Sequence, residues 1–159
     1  MKKKKILFVC LGNICRSPLA EALFLQALSD AGAEDLFEVD SCGTNGQHDG
    51  EEADPRTRHN AASHGISIDH RSRKITPMDL DYFDLVLVMD ENNRRTVELL
   101  CTTSQQRLKI KKLRAFDPLF PMDDVGDPWF GGEAGFELTY HILQENTALW
   151  VQRLLPYPR

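Results

Sequence analysis

With 159 residues, 42% of them hydrophobic and 27% charged, the chain has the length and composition of one globular domain spanning residues 1–159. The formal net charge of −5 argues against general nucleic-acid binding, which usually requires a basic face. The lysine run at residues 2–5 precedes an apolar stretch at residues 6–11 that is too short for a secretory signal or a membrane span. We therefore expect a cytoplasmic protein without a membrane span.

The four cysteines, Cys10, Cys15, Cys42 and Cys101, do not indicate a disulfide framework, since a chain of this size does not need one and nothing signals secretion. No C-x-x-C pair occurs, and the spacing of Cys10 and Cys15 is too wide for a common zinc knuckle. We expect reduced cysteines, no metal site and no cofactor.

The predicted elements alternate between strand and helix. In chain order they are a strand at 5–10, a helix at 18–31, a strand at 37–41, a helix at 55–64, a strand at 84–90, a helix at 92–101, a strand at 111–116 and a helix at 133–154. The first and third strands are apolar at consecutive positions, which is typical of strands buried on both faces. Apolar or bulky residues recur at three- and four-residue steps in the last helix.

This alternation predicts the α/β fold class, with right-handed crossovers between parallel strands. We expect a single three-layer domain with a central, mostly parallel four-stranded sheet flanked by helices on both faces. One long irregular segment, residues 117–132, is rich in Pro, Asp and Gly, and a loop of this length in a compact domain is often functional.

The stretch after the first strand has the features of an anion site. Ligands bind beyond the carboxyl ends of parallel strands, and the start of a helix carries unpaired N–H groups and a positive dipole end. Gly12 and Asn13 tolerate the dihedral angles that turn several N–H groups inward. Arg16 adds a permanent charge whose planar fork suits phosphate oxygens.

Cys10 lies in this positive field, which favours the nucleophilic thiolate. Ser17 is positioned to donate a hydrogen bond to the sulfur. As an isolated spacing of cysteine and arginine, the pattern is equally consistent with a buried cysteine in a tight turn. The preceding strand, the following helix and the intervening glycine, asparagine and serine favour a nucleophile beneath a bound phosphoryl group.

Residues 10–18, C-L-G-N-I-C-R-S-P, resemble the phosphate-binding signature of the low-molecular-weight protein tyrosine phosphatases. Further matches follow in the family's order: S-C-G-T at 41–44, A-D-P-R at 53–56, D-H-R-S-R at 69–73, V-M-D at 88–90 and D-P-W-F-G at 127–131. The resemblance covers nearly the whole chain. It implies metal-independent hydrolysis of phosphotyrosine, in proteins or as small aryl phosphates, through a cysteinyl-phosphate.

The resemblance assigns three catalytic residues, with Cys10 as nucleophile, Arg16 binding phosphate and Asp127 as general acid and base. The phosphate-binding residues would be Leu11, Gly12, Asn13, Ile14, Cys15, Arg16 and Ser17. Asp117 and the pair at 123–124 are alternative acids, but they lack the following aromatic-aromatic-Gly.

The family pattern also implies supporting residues. Ser41 would hold Asn13 in a left-handed conformation, and His70 would brace the loop. Cys15 lies in the cradle, and the resemblance points to reversible protection of Cys10 through a Cys10–Cys15 disulfide.

Two departures from the pattern concern the substrate pocket. Gln47 stands where family members often carry an aromatic residue, so one stacking wall is missing. Trp129 and Phe130 stand where many members have two tyrosines, and they retain aromatic walls without a phosphorylatable hydroxyl.

Two other functions remain as alternatives. Arsenate reduction on the same fold needs relay thiols, and the region after the third strand offers only Cys101. A non-catalytic phosphate-binding module needs neither a thiol nor an acid. We expect a monomer.

Overall fold

The computed structural model describes residues 2–156. Its strands are β1 Lys4–Cys10, β2 Phe37–Gly43, β3 Leu85–Val88 and β4 Ile110–Lys112. Its helices are α1 Arg16–Asp30, α2 Pro55–Ser63, α3 Asp79–Tyr82, α4 Glu91–Leu100, α5 Ser104–Leu108 and α6 Gly132–Leu154, with short 3₁₀ turns at Glu34–Leu36 and Pro128–Phe130. Among these described residues, no helix combines the length and apolar character needed to cross a membrane.

The four strands form one sheet in the order β2-β1-β3-β4, and every pairing is parallel. This confirms the predicted α/β fold class, and the mostly parallel sheet is parallel throughout. The chain leaves β1 toward β2 on one side, while β3 pairs with β1 on the other. Such a switch point opens a crevice at the carboxyl end of β1.

Alternate residues of β1 enter two different cores, which is why the strand is apolar at consecutive positions. Ile6 and Phe8 pack with side chains of α1 and α6, whereas Leu7 and Val9 pack with β3 and with Val97 of α4. All four strand side chains are fully buried. The helices therefore cover both faces, giving the three predicted layers.

Several boundaries differ from the predictions. Helix α1 begins at Arg16 instead of at residue 18, so the arginine belongs to the first turn. Strand β2 runs on to Gly43, because its pairing with β1 continues to Cys10. Strand β4 begins at Ile110, one residue before the predicted strand at 111–116, and ends already at Lys112. Helices α3 and α5 were not predicted, since four and five residues are too few to display a helical period.

Candidate active site

A cleft lies at the carboxyl edge of the sheet, above the segment that joins β1 to α1. Its volume is about 320 Å³. The residues that line it are Cys10, Leu11, Gly12, Ile14, Cys15, Arg16, Asn45, Gln47, His48, Asp127 and Trp129. The cleft thus joins the first β–α connection to the distant 117–132 segment.

The N-terminus of α1 opens onto this cleft. Among the described residues, no side chain caps the helix, and its first turn contains no acidic residue. The first N–H groups of a helix have no intrahelical partner, and they carry the positive end of its dipole. An anion at the loop therefore meets oriented N–H donors as well as the side chain of Arg16.

Cys10 lies at the base of the cleft and is only 3% exposed. Its Sγ accepts a hydrogen bond from the Asn13 N–H at 3.3 Å and lies 3.0 Å from the Ser17 Oγ. Toward a thiolate, the Ser17 hydroxyl is the donor. Both contacts stabilise negative charge on the sulfur.

Asn13 holds the loop in its turn, with a left-handed φ of 56°. The side-chain amide nitrogen of Asn13 donates to Ser17 Oγ at 2.7 Å and to Ser41 Oγ at 3.0 Å. The side-chain oxygen, Oδ1, accepts from His70 Nε2 at 2.8 Å and from the Arg73 N–H at 3.0 Å. These four bonds offset the strain of the left-handed conformation.

The two side chains that contact Asn13 from behind the loop, Ser41 and His70, both lie next to Glu21. Ser41 Oγ donates to Glu21 Oε1 at 2.7 Å, and His70 Nδ1 lies 3.2 Å from the same oxygen. Burial raises the pKa of Glu21 to about 7 and lowers the pKa of His70. Ser41 and His70 thus each contact both Asn13 and Glu21, and their bracing roles stay a prediction.

The strand next to β1 contributes a close backbone contact. A Cβ on Gly43 would lie 2.7 Å from the Leu11 carbonyl oxygen and 3.0 Å from the Gly12 carbonyl carbon. Glycine is therefore required where β2 ends. Ser72 adds a tether, donating to the Gly12 carbonyl at 2.9 Å.

Arg16 is 2% exposed and is fixed by two groups outside the loop. Its Nη1 donates to Asp90 Oδ2 at 2.7 Å and to the Val125 carbonyl at 2.8 Å. Although burial opposes the charge, the negative groups at Cys10, Asp90 and Asp127 raise the pKa of Arg16. The guanidinium is a permanent, oriented cation at the cleft floor.

Asp127 stands at the rim of the cleft. Its Oδ1 accepts from the Trp129 N–H at 3.0 Å, and its Oδ2 lies 3.6 Å from Arg16 Nη2. Nearly half of its side chain is exposed. The carboxyl group is thus held from one oxygen, and the other oxygen faces the guanidinium.

The predicted pocket walls are brought together in part. Gln47, His48 and Trp129 all line the cleft, and the ring of His48 lies 6.3 Å from that of Trp129. Arg56 donates to the Trp129 carbonyl at 2.9 Å, and its guanidinium lies 4.7 Å from the centre of the indole ring. The side chain of Phe130 lies outside the described part of the structure.

All four cysteines are free. Cys15 lines the cleft, and burial raises the pKa of its thiol to about 12. Cys42 is fully buried on β2, and Cys101 follows α4. Asp90 and Cys101 cap the two ends of α4, which places them about 16 Å apart along the helix axis.

Three groups that contact predicted site residues were given no role in the sequence-based prediction: the Asp90 side chain, the Arg56 side chain and the Val125 carbonyl. Asp90 has a positional signal, because it is the first polar residue after β3 and the carboxyl end of β3 lies beside that of β1. Arg56 belongs to a quoted motif, but its contact with Trp129 depends on tertiary packing. The Val125 carbonyl is a backbone group, which no residue type reveals.

Comparisons with known proteins agree with this geometry. Residues 5–156 match the family described as low molecular weight phosphotyrosine protein phosphatase. A low molecular weight protein-tyrosine-phosphatase of Streptomyces coelicolor is 44% identical over 135 residues, covering 84% of this chain and 82% of that protein. The low molecular weight phosphotyrosine protein phosphatase of Homo sapiens is 38% identical over 138 residues, covering 86% and 87%.

Among solved structures, a protein tyrosine phosphatase from Entamoeba histolytica aligns with a TM-score of 0.91 at 36% identity, covering 96% of this chain and 97% of that one. Sequence and fold thus agree over almost the full length of both partners. The chain belongs to the low molecular weight phosphotyrosine protein phosphatase family, whose members are hydrolases.

Proposed function

We propose that this phosphatase cleaves aryl phosphate monoesters, phosphotyrosine above all, with Cys10 as nucleophile, Arg16 and the loop N–H groups as phosphate ligands, and Asp127 as general acid and base. The observation that carries the proposal is the meeting of these three side chains in one cleft, although they are up to 117 positions apart in the chain. The thiol of Cys10 is buried beside the start of α1, which no side chain caps among the described residues. Neither a disulfide nor a structural ion pair accounts for a thiol in this position.

In the first step, the phosphate dianion binds the loop N–H groups and Arg16, and the Cys10 thiolate attacks phosphorus. The S–P bond forms as the bond from phosphorus to the phenolic oxygen breaks. The protonated Asp127 gives its proton to that oxygen, so tyrosine leaves as a neutral phenol. The Ser17 hydroxyl and the Asn13 N–H stabilise the sulfur before attack.

In the second step, a water molecule attacks the phosphocysteine. The Asp127 carboxylate accepts the proton of this water, the S–P bond breaks, and the thiolate and inorganic phosphate are released. No step requires a metal, because oriented N–H donors and a buried guanidinium supply the positive charge. The phosphate-binding set is the complete loop from Leu11 to Ser17.

The cleft walls support an aromatic substrate. Trp129 offers one flat face, while Leu11 and Ile14 add apolar surface at the floor. Gln47 also lines the cleft, with an amide where family members often carry an aromatic ring. We infer that the ring of the substrate stacks on one side only, so recognition relies more on the phosphate than on the ring.

The experiment compares wild type with Cys10→Ser on p-nitrophenyl phosphate and a phosphotyrosine peptide, in EDTA, with Cys101→Ser as the matched thiol control. We expect Cys10→Ser to lose roughly 10⁴-fold or more of kcat, and Cys101→Ser to match wild type. Residual hydrolysis by Cys10→Ser near the wild-type rate would contradict the assignment. Capture of phosphoproteins by Cys10→Ser would separate protein substrates from small aryl phosphates.

The two alternative functions make different predictions. Arsenate reduction needs a second thiol that reaches Cys10, and Cys101 lies at the far end of α4 while Cys42 is fully buried. A non-catalytic binder would show no wild-type turnover in EDTA. Thioredoxin oxidation that depends on arsenate would favour the reductase.

We propose redox sensitivity at the same loop. Peroxide would convert the Cys10 thiolate to a sulfenic acid, and the Cys15 thiol would displace water from it to form a disulfide. The raised pKa of Cys15 makes the second step slow, because little of that thiol is ionised. Intact-mass measurement after mild peroxide should show a loss of two protons that dithiothreitol reverses, and Cys15→Ser should not show it.

The reduced cysteines suit a reducing compartment, so we propose that the protein acts in the cytoplasm as a single-domain monomer. Light scattering of the purified protein and cell fractionation test these two points.

A further inference from the structure

Three potential metal ligands meet on the surface where α2 packs against α6, away from the cleft. His64 caps the C-terminus of α2, and Glu137 and His141 belong to α6. His64 Nε2 lies 2.6 Å from Glu137 Oε1, and His141 Nε2 lies 3.2 Å from Glu137 Oε2. One ligand atom from each of the three side chains lies within 4.8 Å of the other two.

The spacing of the residues explains why they converge. Glu137 and His141 are four residues apart, so they share one face of α6, and His64 reaches that face from the end of the neighbouring helix. Two neighbours orient the group. The His64 ring stacks on Tyr140 with 3.8 Å between centroids, and the Asn60 amide donates to Glu137 Oε1 at 2.9 Å.

We propose that His64, Glu137 and His141 bind one divalent transition metal ion of the zinc type, with water completing the coordination. Two imidazoles and one carboxylate are the ligand set of many zinc sites that keep a fourth position open. Mg²⁺ and Ca²⁺ are disfavoured, because they prefer oxygen ligands and this group offers a single carboxylate.

The distances fit such an ion after small side-chain rotations. Ligands about 2.1 Å from a tetrahedral metal are separated by roughly 3.4 Å. The observed separations, 2.6 Å from His64 to one Glu137 oxygen and 3.2 Å from His141 to the other, are shorter, because each imidazole faces its own carboxylate oxygen directly. The Asn60 amide is placed as an outer partner that holds the ligating carboxylate, an arrangement common around protein metal sites.

Metal binding would reinforce the contacts that His64 and Asn60 already make between α2 and α6 through Glu137. The two helices already bracket the Asp127 segment: Arg56, in the first turn of α2, holds the Trp129 carbonyl, and α6 begins directly after Gly131. A bridge through His64 acts at the opposite end of α2. We therefore expect the ion to stabilise the fold.

The test is zinc binding by the full chain, measured by calorimetry and thermal denaturation. The variants are His64→Ala and His141→Ala, with His59→Ala as the matched control, since His59 is an exposed histidine of α2 outside the cluster. Zinc should bind wild type and His59→Ala with a 1:1 surface component and raise both melting temperatures. Each cluster variant should bind at this component at least tenfold more weakly. Zinc held by the active-site thiol is common to all variants and cancels in the comparison.

Imidazole NMR provides a second readout that does not depend on variants. On addition of Zn²⁺, the ring nitrogen signals of His64 and His141 should shift, and those of His59 should not. Equal zinc affinity in all four proteins, no zinc-dependent rise in the wild-type melting temperature, or unmoved His64 and His141 signals would overturn the proposal. None of these measurements involves phosphatase activity, so the proposed catalytic roles stand or fall separately.

Discussion

The two halves of the cleft are held in opposite ways. On the phosphate side, Cys10, Arg16 and Ser17 are all at most 3% exposed. Arg16 is hydrogen-bonded to Asp90 and to the Val125 carbonyl, and Cys10 and Ser17 are hydrogen-bonded to each other and to Asn13. On the acid side, Asp127 and Trp129 are exposed, and among the described residues they are held chiefly by one backbone N–H and by Arg56.

This difference separates two tasks. In the proposed mechanism, charge that develops on the phosphoryl group is met by donors that are already oriented, so no reorganisation is needed during reaction. The proposed acid, Asp127, must approach leaving groups of different shape and then a water molecule, which suits a segment with few buried contacts. Substitutions on the two sides should therefore affect different measurable quantities.

The largest effect on the acid side is expected for Asp127→Asn. Without a proton donor, kcat for phenyl phosphate should fall by roughly 10²–10⁴-fold, and the loss should be smaller for p-nitrophenyl phosphate, whose phenolate leaves more readily. Inhibition by inorganic phosphate should be unchanged. Asp123→Asn is the matched control, and equal losses in the two variants would contradict the role of Asp127.

On the phosphate side, Arg16→Lys keeps the charge but loses the fork that joins Asp90, the Val125 carbonyl and the phosphate. We expect kcat to fall on the order of 10²–10³-fold, and inorganic phosphate to inhibit more weakly. The control is Arg58→Lys, on the exposed face of α2. Unchanged phosphate inhibition in Arg16→Lys would remove the distinction between the two halves.

The support behind the loop predicts a pH-dependent stability. The pKa of Glu21 in the folded protein, about 7, lies above its ordinary value of 4.5. The protonated carboxyl group therefore contributes fully to the free energy of unfolding below pH 4.5, and this contribution is lost as the pH rises through 7. His70, with a lowered pKa, acts oppositely and costs stability as pH falls. The substitution Glu21→Gln keeps a hydrogen-bond acceptor for Ser41. It also removes the loss of stability that ionisation of Glu21 causes as the pH rises.

Relative to wild type, Glu21→Gln should therefore gain about 2 kcal/mol of unfolding free energy between about pH 5 and about pH 8. Chemical denaturation at both pH values measures this gain. Exposed Glu34→Gln serves as the control. A constant difference between Glu21→Gln and wild type across this range would show that Glu21 does not titrate there.

The smallest effect should come from Arg56→Gln, which removes the guanidinium from the Trp129 ring and carbonyl. The acid segment becomes less well placed, and kcat for phenyl phosphate should fall roughly twofold to fivefold, with phosphate inhibition intact. Steady-state kinetics beside Arg58→Gln tests this. Weaker phosphate inhibition in Arg56→Gln would mean that α2 supports the phosphate side as well.

Sequence patterns predicted the parts of this molecule whose signals are local. Buried strands read as apolar runs, and the order of motifs from Cys10 to Asp127 predicted the family. Most of the residues that line the cleft were among the predicted site residues, but Asn45 and His48 were not. The short helices were missed, although Thr103 and Gln106 of α5 form a capping box whose spacing is visible in the sequence. The anchoring of Arg16 was missed for a deeper reason: one partner is a backbone carbonyl, and the other gains its position from the register of β3 beside β1.

One carboxylate that follows β3, that of Asp90, has two structural roles. Asp90 Oδ2 anchors Arg16, while Oδ1 accepts the Asn93 N–H and so caps α4 through a capping box. Loss of this side chain would release Arg16, the proposed phosphate ligand, and fray a helix of the opposite layer in the same event. A substitution at position 90 should therefore lower activity and stability together, so selection for either property also preserves the other.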